Sequence, residues 1–239
     1  MVEAVKKQFS MQWKDWIFAY LTTILMGLFG WALMYFVTRG APETNGFAGL
    51  GGILAAAGLA IYTAIMAIGQ MWTGFNLAVS MNSTRKHFFV SYYLVIFAGA
   101  MIGLGMVGII GWAEDCFYRG VYQGLSPAVD FLPFLRNYGI LTMVVLVMVL
   151  GFCGTLLLRY GRKAFWVLWA AWMIVVLGLP RIIDAAEDAP GSVFGIIGNK
   201  MIHLFRAMPE NAWVFSGIIL GAACLAGTYG ILQKQQVNV

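Results

Sequence analysis

Charged residues are scarce in this sequence, and their scarcity excludes most soluble protein classes. Only 10% of its 239 residues are Asp, Glu, Lys or Arg, whereas 61% are hydrophobic. A soluble globular domain carries about 25% charged and about 45–50% apolar residues. No polar segment reaches the size of a domain with its own core. The composition predicts an integral membrane protein with a single membrane domain, residues 1–239.

Groups that commonly mark an active site are also few. The chain has two histidines and three cysteines, and the cysteines do not have the spacing of metal ligands. Neither a His-Glu-x-x-His motif nor a Gly-x-x-x-x-Gly-Lys-Ser/Thr phosphate loop occurs in it. We therefore predict no catalytic residue, no metal site and no cofactor bound by this chain itself.

Six long apolar runs contain no Asp, Glu, Lys, Arg or His. Proton-coupled carriers, pumps and intramembrane metalloproteases need such groups at membrane depth, so these classes are disfavoured. About 20 apolar residues in a helix cross a bilayer, which predicts an all-helical protein with six spans. The predicted spans cover residues 16–37, 46–75, 88–112, 138–158, 164–180 and 212–232.

The ends of three spans carry further expectations. The second uncharged run continues to Ser80, and as one helix it would be about 52 Å long, well beyond a hydrocarbon core of ~30 Å. Its end, from about Gly74, is therefore predicted to protrude from the membrane. Residues 114–137 are predicted to form a polar connection, and Pro180 is predicted to end the fifth span.

Two amphipathic stretches complete the predicted architecture. In residues 2–16, Val2, Val5, Phe9, Trp13 and Trp16 share one helical face, which predicts an N-terminal helix, residues 2–15, lying in the membrane interface. Residues 191–208, between spans five and six, also have one apolar and one basic face. They predict a helix that lies on the surface or enters the bilayer partway.

The distribution of charge predicts the orientation of the spans. With the N-terminus inside, the inner side carries nine basic and two acidic residues, whereas the outer side carries six basic and eight acidic ones. The inner residues are Lys6, Lys7, Lys14, Arg85, Lys86, Arg159, Arg162, Lys163 and Lys234, with Glu3 and Asp15. The positive-inside rule thus predicts a multi-pass protein of the cell membrane with both termini, residues 80–89 and residues 159–163 in the cytoplasm.

A polar, basic block follows the second span. Residues 82–89, Asn-Ser-Thr-Arg-Lys-His-Phe-Phe, are similar to a Gly-x-Ser/Thr-Arg-Lys-x-Phe-Phe element, with Asn82 where Gly is common. With the N-terminal amphipathic helix and the basic turn 159–163, this block makes the chain resemble the permease subunits of type-two ABC transporters. The resemblance covers essentially the whole chain.

The resemblance implies a function. In that family the block is a coupling helix that seats in cytoplasmic ATPase subunits, which bind ATP and Mg²⁺, and a re-entrant helical pair lies between spans five and six. The chain would pair with itself or a related permease, contact membrane lipids and no nucleic acid, and export an amphiphilic peptide, antibiotic or lipid. The implied coupling residues are Asn82, Ser83, Thr84, Arg85, Lys86, His87 and Phe88.

Several alternatives stay open. Arg85 and Lys86 are also explained by topology alone, because cytoplasmic loops are basic. Thr63, Gln70 and Asn76 in the second span either face a pathway or hydrogen-bond a neighbouring helix. A non-transporting regulatory or immunity protein that binds a partner through its outer loops is the second hypothesis. An enzyme, based only on the acidic cluster of residues 184–188, is the third.

Overall fold

The chain is almost entirely helical. The computed structural model describes residues 2–40, 46–80, 84–121, 126–129 and 131–235, and six helices within these ranges are long and apolar enough to cross a membrane. They are Val2–Val37, Leu50–Ser80, Arg85–Gly120, Phe131–Tyr160, Arg162–Asp188 and Asn211–Lys234. The predicted helical architecture with six apolar runs of spanning length is confirmed.

Eight α-helices and two short strands make up most of the described parts of the chain. The helices are α1 Val2–Gly40, α2 Leu50–Ser80, α3 Arg85–Val121, α4 Phe131–Tyr160, α5 Arg162–Met173, α6 Leu179–Asp188, α7 Val193–Ala207 and α8 Glu210–Lys234. The strands, β1 Gly46–Ala48 and β2 Ser126–Val129, pair in parallel, with Gly46 opposite Ser126. Their pairing joins the connection after α1 to the connection after α3.

The core lies where α1, α2, α3 and α4 pack together. Glycines let these helices approach closely, as is usual in membranes, where small residues line helix contacts. A Cβ on Gly30 of α1 would lie 2.5 Å from the carbonyl oxygen of Leu50, and one on Gly99 of α3 would lie 2.2 Å from the Trp16 ring. Neither position has space for any side chain.

Residues 2–15 do not form a helix of their own. They are the first part of α1, which runs unbroken to Gly40, because no Gly or Pro interrupts the sequence before Gly27. Phe9 and Trp13 are exposed as expected of a lipid-facing side, but Trp16 lies on the buried side. The location of this segment in the membrane interface stays a prediction.

Two predicted boundaries are wrong. Residues 114–137 are not one polar connection, because α3 continues to Val121 and α4 already begins at Phe131. Pro180 does not end the fifth span, because a π-helical turn, Ile174–Gly178, precedes it and α6 carries the helix on to Asp188. The wider π turn changes the backbone before the proline, and Pro180 then falls in a first turn, where proline is tolerated.

The helix α6, which is the end of the fifth apolar helix, forms a hairpin with α7. The Ser192 hydroxyl accepts a hydrogen bond from the Gly195 N–H at 3.0 Å and so caps the N-terminus of α7. A Cβ on Gly195 would lie 2.1 Å from the Ala189 carbonyl oxygen, and one on Gly198 would lie 2.3 Å from that of Ile182. The two helices are closely packed. The helix α7 falls within residues 191–208, to which the resemblance assigns the re-entrant element, whereas α6 ends the fifth apolar helix. Entry of α7 into a membrane stays a prediction.

Candidate functional site

The end of the α2–α3 hairpin, residues 74–80 and 84–89, is the candidate site and is called the hairpin tip below. The helix α2 has 31 residues and α3 has 37, which gives lengths of about 46 Å and about 55 Å at ~1.5 Å per residue. Both exceed a hydrocarbon core of ~30 Å. Part of the hairpin therefore extends beyond the core of any bilayer that these helices cross.

Thr84 begins α3 at the hairpin tip. Its hydroxyl accepts a hydrogen bond from the His87 N–H at 3.2 Å, and its carbonyl accepts one from the Phe88 N–H at 2.9 Å, which is the pattern of an N-cap. Residues 85–88 are thus the first turn of α3 and not a separate coupling helix. The predicted coupling residues Asn82 and Ser83 lie outside the described residues.

Phe88 belongs to the interior of the hairpin. Its side chain is 1% exposed, and its ring centroid lies 5.4 Å from that of Phe75 in α2 and 5.9 Å from that of Tyr92. These contacts hold the two arms of the hairpin together. Phe88 is therefore a packing residue here and presents no surface to a soluble partner.

Arg85 attaches the hairpin tip to α8. Its Nη1 donates a hydrogen bond to the carbonyl oxygen of Gln233 in the last turn of α8, where helix carbonyls have no partner within their own helix. The ring of Phe89 packs edge-on against that of Tyr229, with centroids 5.3 Å apart. The tip and the C-terminal end of α8 are therefore linked by a polar and an aromatic contact.

The remaining side chains of the block face outward. Thr84, Lys86 and His87 are exposed, whereas Arg85 reaches back to α8. The fold thus gives different positions to two neighbouring cations that look alike in the sequence. Within the described part of the block, Thr84, Lys86 and His87 are thus exposed for contact with a partner.

The three predicted pathway residues do not form one surface. Thr63 is fully buried, whereas Gln70 and Asn76 are half-buried. At ~100° per residue, Thr63 and Asn76 lie about 140° apart around α2. The Thr63 hydroxyl has no hydrogen-bond partner among the described residues, so this buried position is polar without an evident structural need.

A buried polar stripe on α1 is a feature that the sequence patterns do not predict. Gln8, Gln12 and Trp16 are 3%, 0% and 4% exposed, and they lie on one face because they are spaced four residues apart. Within the described part of the chain, the Gln8 Nε2, both polar atoms of the Gln12 amide and the Trp16 Nε1 have no hydrogen-bond partner. The available signal is the Gln-x-x-x-Gln spacing, which the neighbouring apolar residues obscure.

Glu114 holds the opposite end of the hairpin. Its side chain is 1% exposed, and its two carboxylate oxygens accept hydrogen bonds from the N–H groups of Gly51 and Gly52, both at 2.9 Å. These groups belong to the N-terminal turn of α2, where a helix favours negative charge. A Cβ on Gly51 would lie 2.9 Å from the Glu114 Oε2, so glycine leaves the space for the carboxylate.

The acidic cluster of the enzymatic hypothesis lies on the surface. Asp184, Glu187 and Asp188 are exposed on α6. Within residues 2–40, 46–80, 84–121, 126–129 and 131–235, no three His, Cys, Asp or Glu side chains are placed so as to hold a metal ion. The enzymatic hypothesis stays untested.

Comparison with protein-family models, curated proteins and solved structures finds no match to this chain. The resemblance to type-two ABC permeases thus depends on the residues and the topology alone, and what it implies stays a proposal.

Proposed function

We propose that this chain is the permease subunit of an ATP-binding-cassette exporter of the type-two class, driven by separate cytoplasmic ATPase subunits. The observation that supports the proposal most is the hairpin tip. It is the end of two helices longer than a bilayer core, it exposes Lys86 and His87, and it is attached to α8 through Arg85. A soluble motor needs such a rigid element to act on.

Movement at the tip would pass to the rest of the membrane domain in two ways. The α2 and α3 arms move together, because Phe75 and Phe88 pack against each other within the hairpin. The helix α8 follows, because Arg85 bonds to Gln233 and the Tyr93 hydroxyl lies 3.4 Å from the Thr228 hydroxyl further along the same helix pair. ATP-driven closure of the motor would thus rock α2, α3 and α8 as one unit.

The proposed transporter is a dimer with itself or a related permease, around a pathway lined partly by the second and fifth spans. The helix α5 supports a second subunit, because its aromatic side chains are largely uncovered by the rest of the chain: Trp166, Trp169 and Trp172 are 52%, 46% and 57% exposed. An apolar surface of this kind suits an amphiphilic cargo such as a peptide, an antibiotic or a lipid.

Co-purification tests the docking role of the tip. Where the adjacent reading frame encodes an ABC ATPase, the tagged chain is co-expressed with it, and we expect Lys86→Glu to reduce the recovered ATPase at least tenfold while membrane insertion is unchanged. Lys163→Glu is the matched control, because Lys163 is an exposed basic residue on the same predicted side. Equal losses in the two variants would show that the charge acts on topology, and full recovery with Lys86→Glu would contradict docking.

An Arg85 variant distinguishes binding of the ATPase at the tip from transmission of its movement to α8. Arg85→Met keeps the aliphatic part of the side chain but removes the donor to the Gln233 carbonyl, so we expect the ATPase to co-purify normally while its stimulation by cargo falls severalfold. If no ATPase co-purifies even with the unaltered chain, the transporter proposal is overturned. The regulatory or immunity protein acting through its outer loops is then the hypothesis to test.

A further inference from the structure

The first turns of α1 lie against the rest of the bundle through a polar face. Gln8 and Gln12 are 3% and 0% exposed. Within the described part of the chain, the Gln8 Nε2 and both polar atoms of the Gln12 amide have no hydrogen-bond partner. Burial of an amide group without a partner costs free energy. Because Gln12 is wholly buried, water cannot supply the missing bonds while the helices are packed in this way.

Other contacts of this segment do not offset that cost. Among the described residues of α1, the apolar core cluster contains Trp16 and Ala19 but no residue before them. The described hydrogen bonds that join α1 to other helices begin at Tyr20, whose hydroxyl donates to the Gly99 carbonyl at 3.1 Å. Close approach begins at Trp16, whose ring lies 2.2 Å from an ideal Cβ on Gly99. The helix is thus firmly attached from Trp16 onward and weakly held before it.

The weakly held segment lies beside the hairpin tip. The helices α1 and α3 run in the same direction, because Tyr20 bonds to Gly99 and, further along both helices, the Trp31 carbonyl accepts a hydrogen bond from the Tyr118 hydroxyl at 3.0 Å. Residues before Trp16 therefore lie toward the N-terminal end of α3, which is part of the tip.

We propose that residues 2–15 of α1, called the strap below, open away from the α2–α3 hairpin about Trp16. The packing described above is the closed arrangement. In the open arrangement, water reaches Gln8 and Gln12 and supplies the hydrogen bonds that they lack when buried. A helix end that few buried contacts hold opens locally at small cost. Opening also loses little apolar contact, because Phe9 and Trp13 are already 58% and 44% exposed.

The membrane interface accommodates the open strap. Trp side chains concentrate at the headgroup level of membranes, and the exposed side chains of Lys6, Lys7 and Lys14 suit anionic headgroups. The interfacial helix that the sequence predicts for residues 2–15 thus corresponds to the open arrangement. Opening exchanges a buried contact with unpaired amides for a hydrated position beside the membrane.

Thiol reactivity measures opening without any ATPase, so the result is independent of the proposed function. The three cysteines are changed to alanine, and a single cysteine is introduced as Gln12→Cys, Ala19→Cys or Ser10→Cys. The full chain in nanodiscs of phosphatidylcholine and phosphatidylglycerol is treated with a membrane-impermeant methanethiosulfonate. Gln12 and Ala19 are both 0% exposed, whereas Ser10 is exposed and gives the reference rate. We expect Gln12→Cys to react at least tenfold faster than Ala19→Cys, and equal rates would overturn the proposal.

Distances between two spin labels test whether the glutamines cause the opening. In the same cysteine-free background, labels are attached at Lys7→Cys on the strap and at Gly105→Cys on α3, where no atom lies within 4 Å of the Cβ position. Double electron–electron resonance should then show two distances, one for each arrangement. A single distance would overturn the proposal.

Substitution of the glutamines should shift the two populations. Gln8→Leu combined with Gln12→Leu removes the unpaired amides and keeps apolar side chains on the buried face, so the open population should fall at least fivefold. Gln12→Met replaces this pair if the double variant does not fold. Ser10→Leu is the matched control, because it adds the same side chain to the exposed face of the strap and should not reduce the open population. An open population that persists after loss of the buried amides would contradict the strap.

Discussion

The first four helices and the segment from α5 to α7 are built in different ways. In α2 the most apolar stretch buries 44% of its residues within the chain, whereas the corresponding stretch of Arg162–Asp188 buries none. Both segments are rich in apolar residues, so hydrophobicity does not distinguish them. The difference is in the close contacts between helices.

Glycines at contact points explain this difference. In the bundle of α1 to α4, Gly30 and Gly99 let a backbone or a Trp ring approach closely, which provides the van der Waals packing that holds helices together in lipid. In the second region Gly195 and Gly198 do the same, but only between α6 and α7. In that region α6 and α7 therefore pack against each other, whereas α5 is left largely uncovered by the described parts of the chain.

The largest effect should follow from overfilling the bundle. Gly99→Leu places a side chain where the Trp16 ring already lies, 2.2 Å from an ideal Cβ, and we expect it to lower the free energy of unfolding by about 3 kcal/mol. Gly105→Leu on the same helix is the control, because no atom lies within 4 Å of its Cβ position. Thermal unfolding in detergent measures both, and similar losses would contradict the close approach of α1 to α3.

A smaller loss should follow from removing the carboxylate at the other end of the bundle. Glu114→Ala leaves the N–H groups of Gly51 and Gly52 unpaired in a buried place, which costs about 1.5–3 kcal/mol for bonds to a charged group. Asp115→Ala removes only the neighbouring carboxylate of an ion pair with Arg119, a residue that is 61% exposed, and should cost less than about 1 kcal/mol. If the two variants unfold at the same temperature, Glu114 does not hold α2.

The six apolar helices can be predicted from the sequence because run length and the lack of charge are local properties. Helix ends cannot be predicted equally well, because they depend on distant partners. The charge of Glu114 indicates a polar loop between two spans. In the fold, the N-terminus of α2 donates hydrogen bonds to the Glu114 carboxylate, so α3 continues past this residue. Pro180 likewise indicates the end of a helix, but the helix continues past it. The π turn that precedes the proline cannot be recognised from composition.

The sequence locates the candidate site but does not assign roles to its residues. Arg85 and Lys86 are adjacent and chemically alike, and only the fold shows that one bonds to the end of α8 while the other faces outward. In the first part of α1, the apolar residues Phe9 and Trp13 lie on the exposed face, whereas the polar residues Gln8 and Gln12 lie on the buried face. The apolar pattern there does not predict which face is buried. The reason is physical, since apolar residues in a membrane protein face lipid as readily as they face the interior.

The smallest change in the free energy of unfolding of the isolated chain is expected for a substitution in α5. This variant tests most directly the difference between the α1–α4 bundle and the segment from α5 to α7. Trp169→Ala removes a large side chain that is 46% exposed, but lipid replaces most of the lost contacts, so the free energy of unfolding should change by no more than about 0.5 kcal/mol. If α5 binds a second subunit, the same variant should lower the dimer fraction severalfold in cysteine cross-linking and single-molecule counting. A loss of about 2 kcal/mol or more in the monomer would instead show that α5 belongs to the packed bundle, and an unchanged dimer fraction would show that this face contacts only lipid.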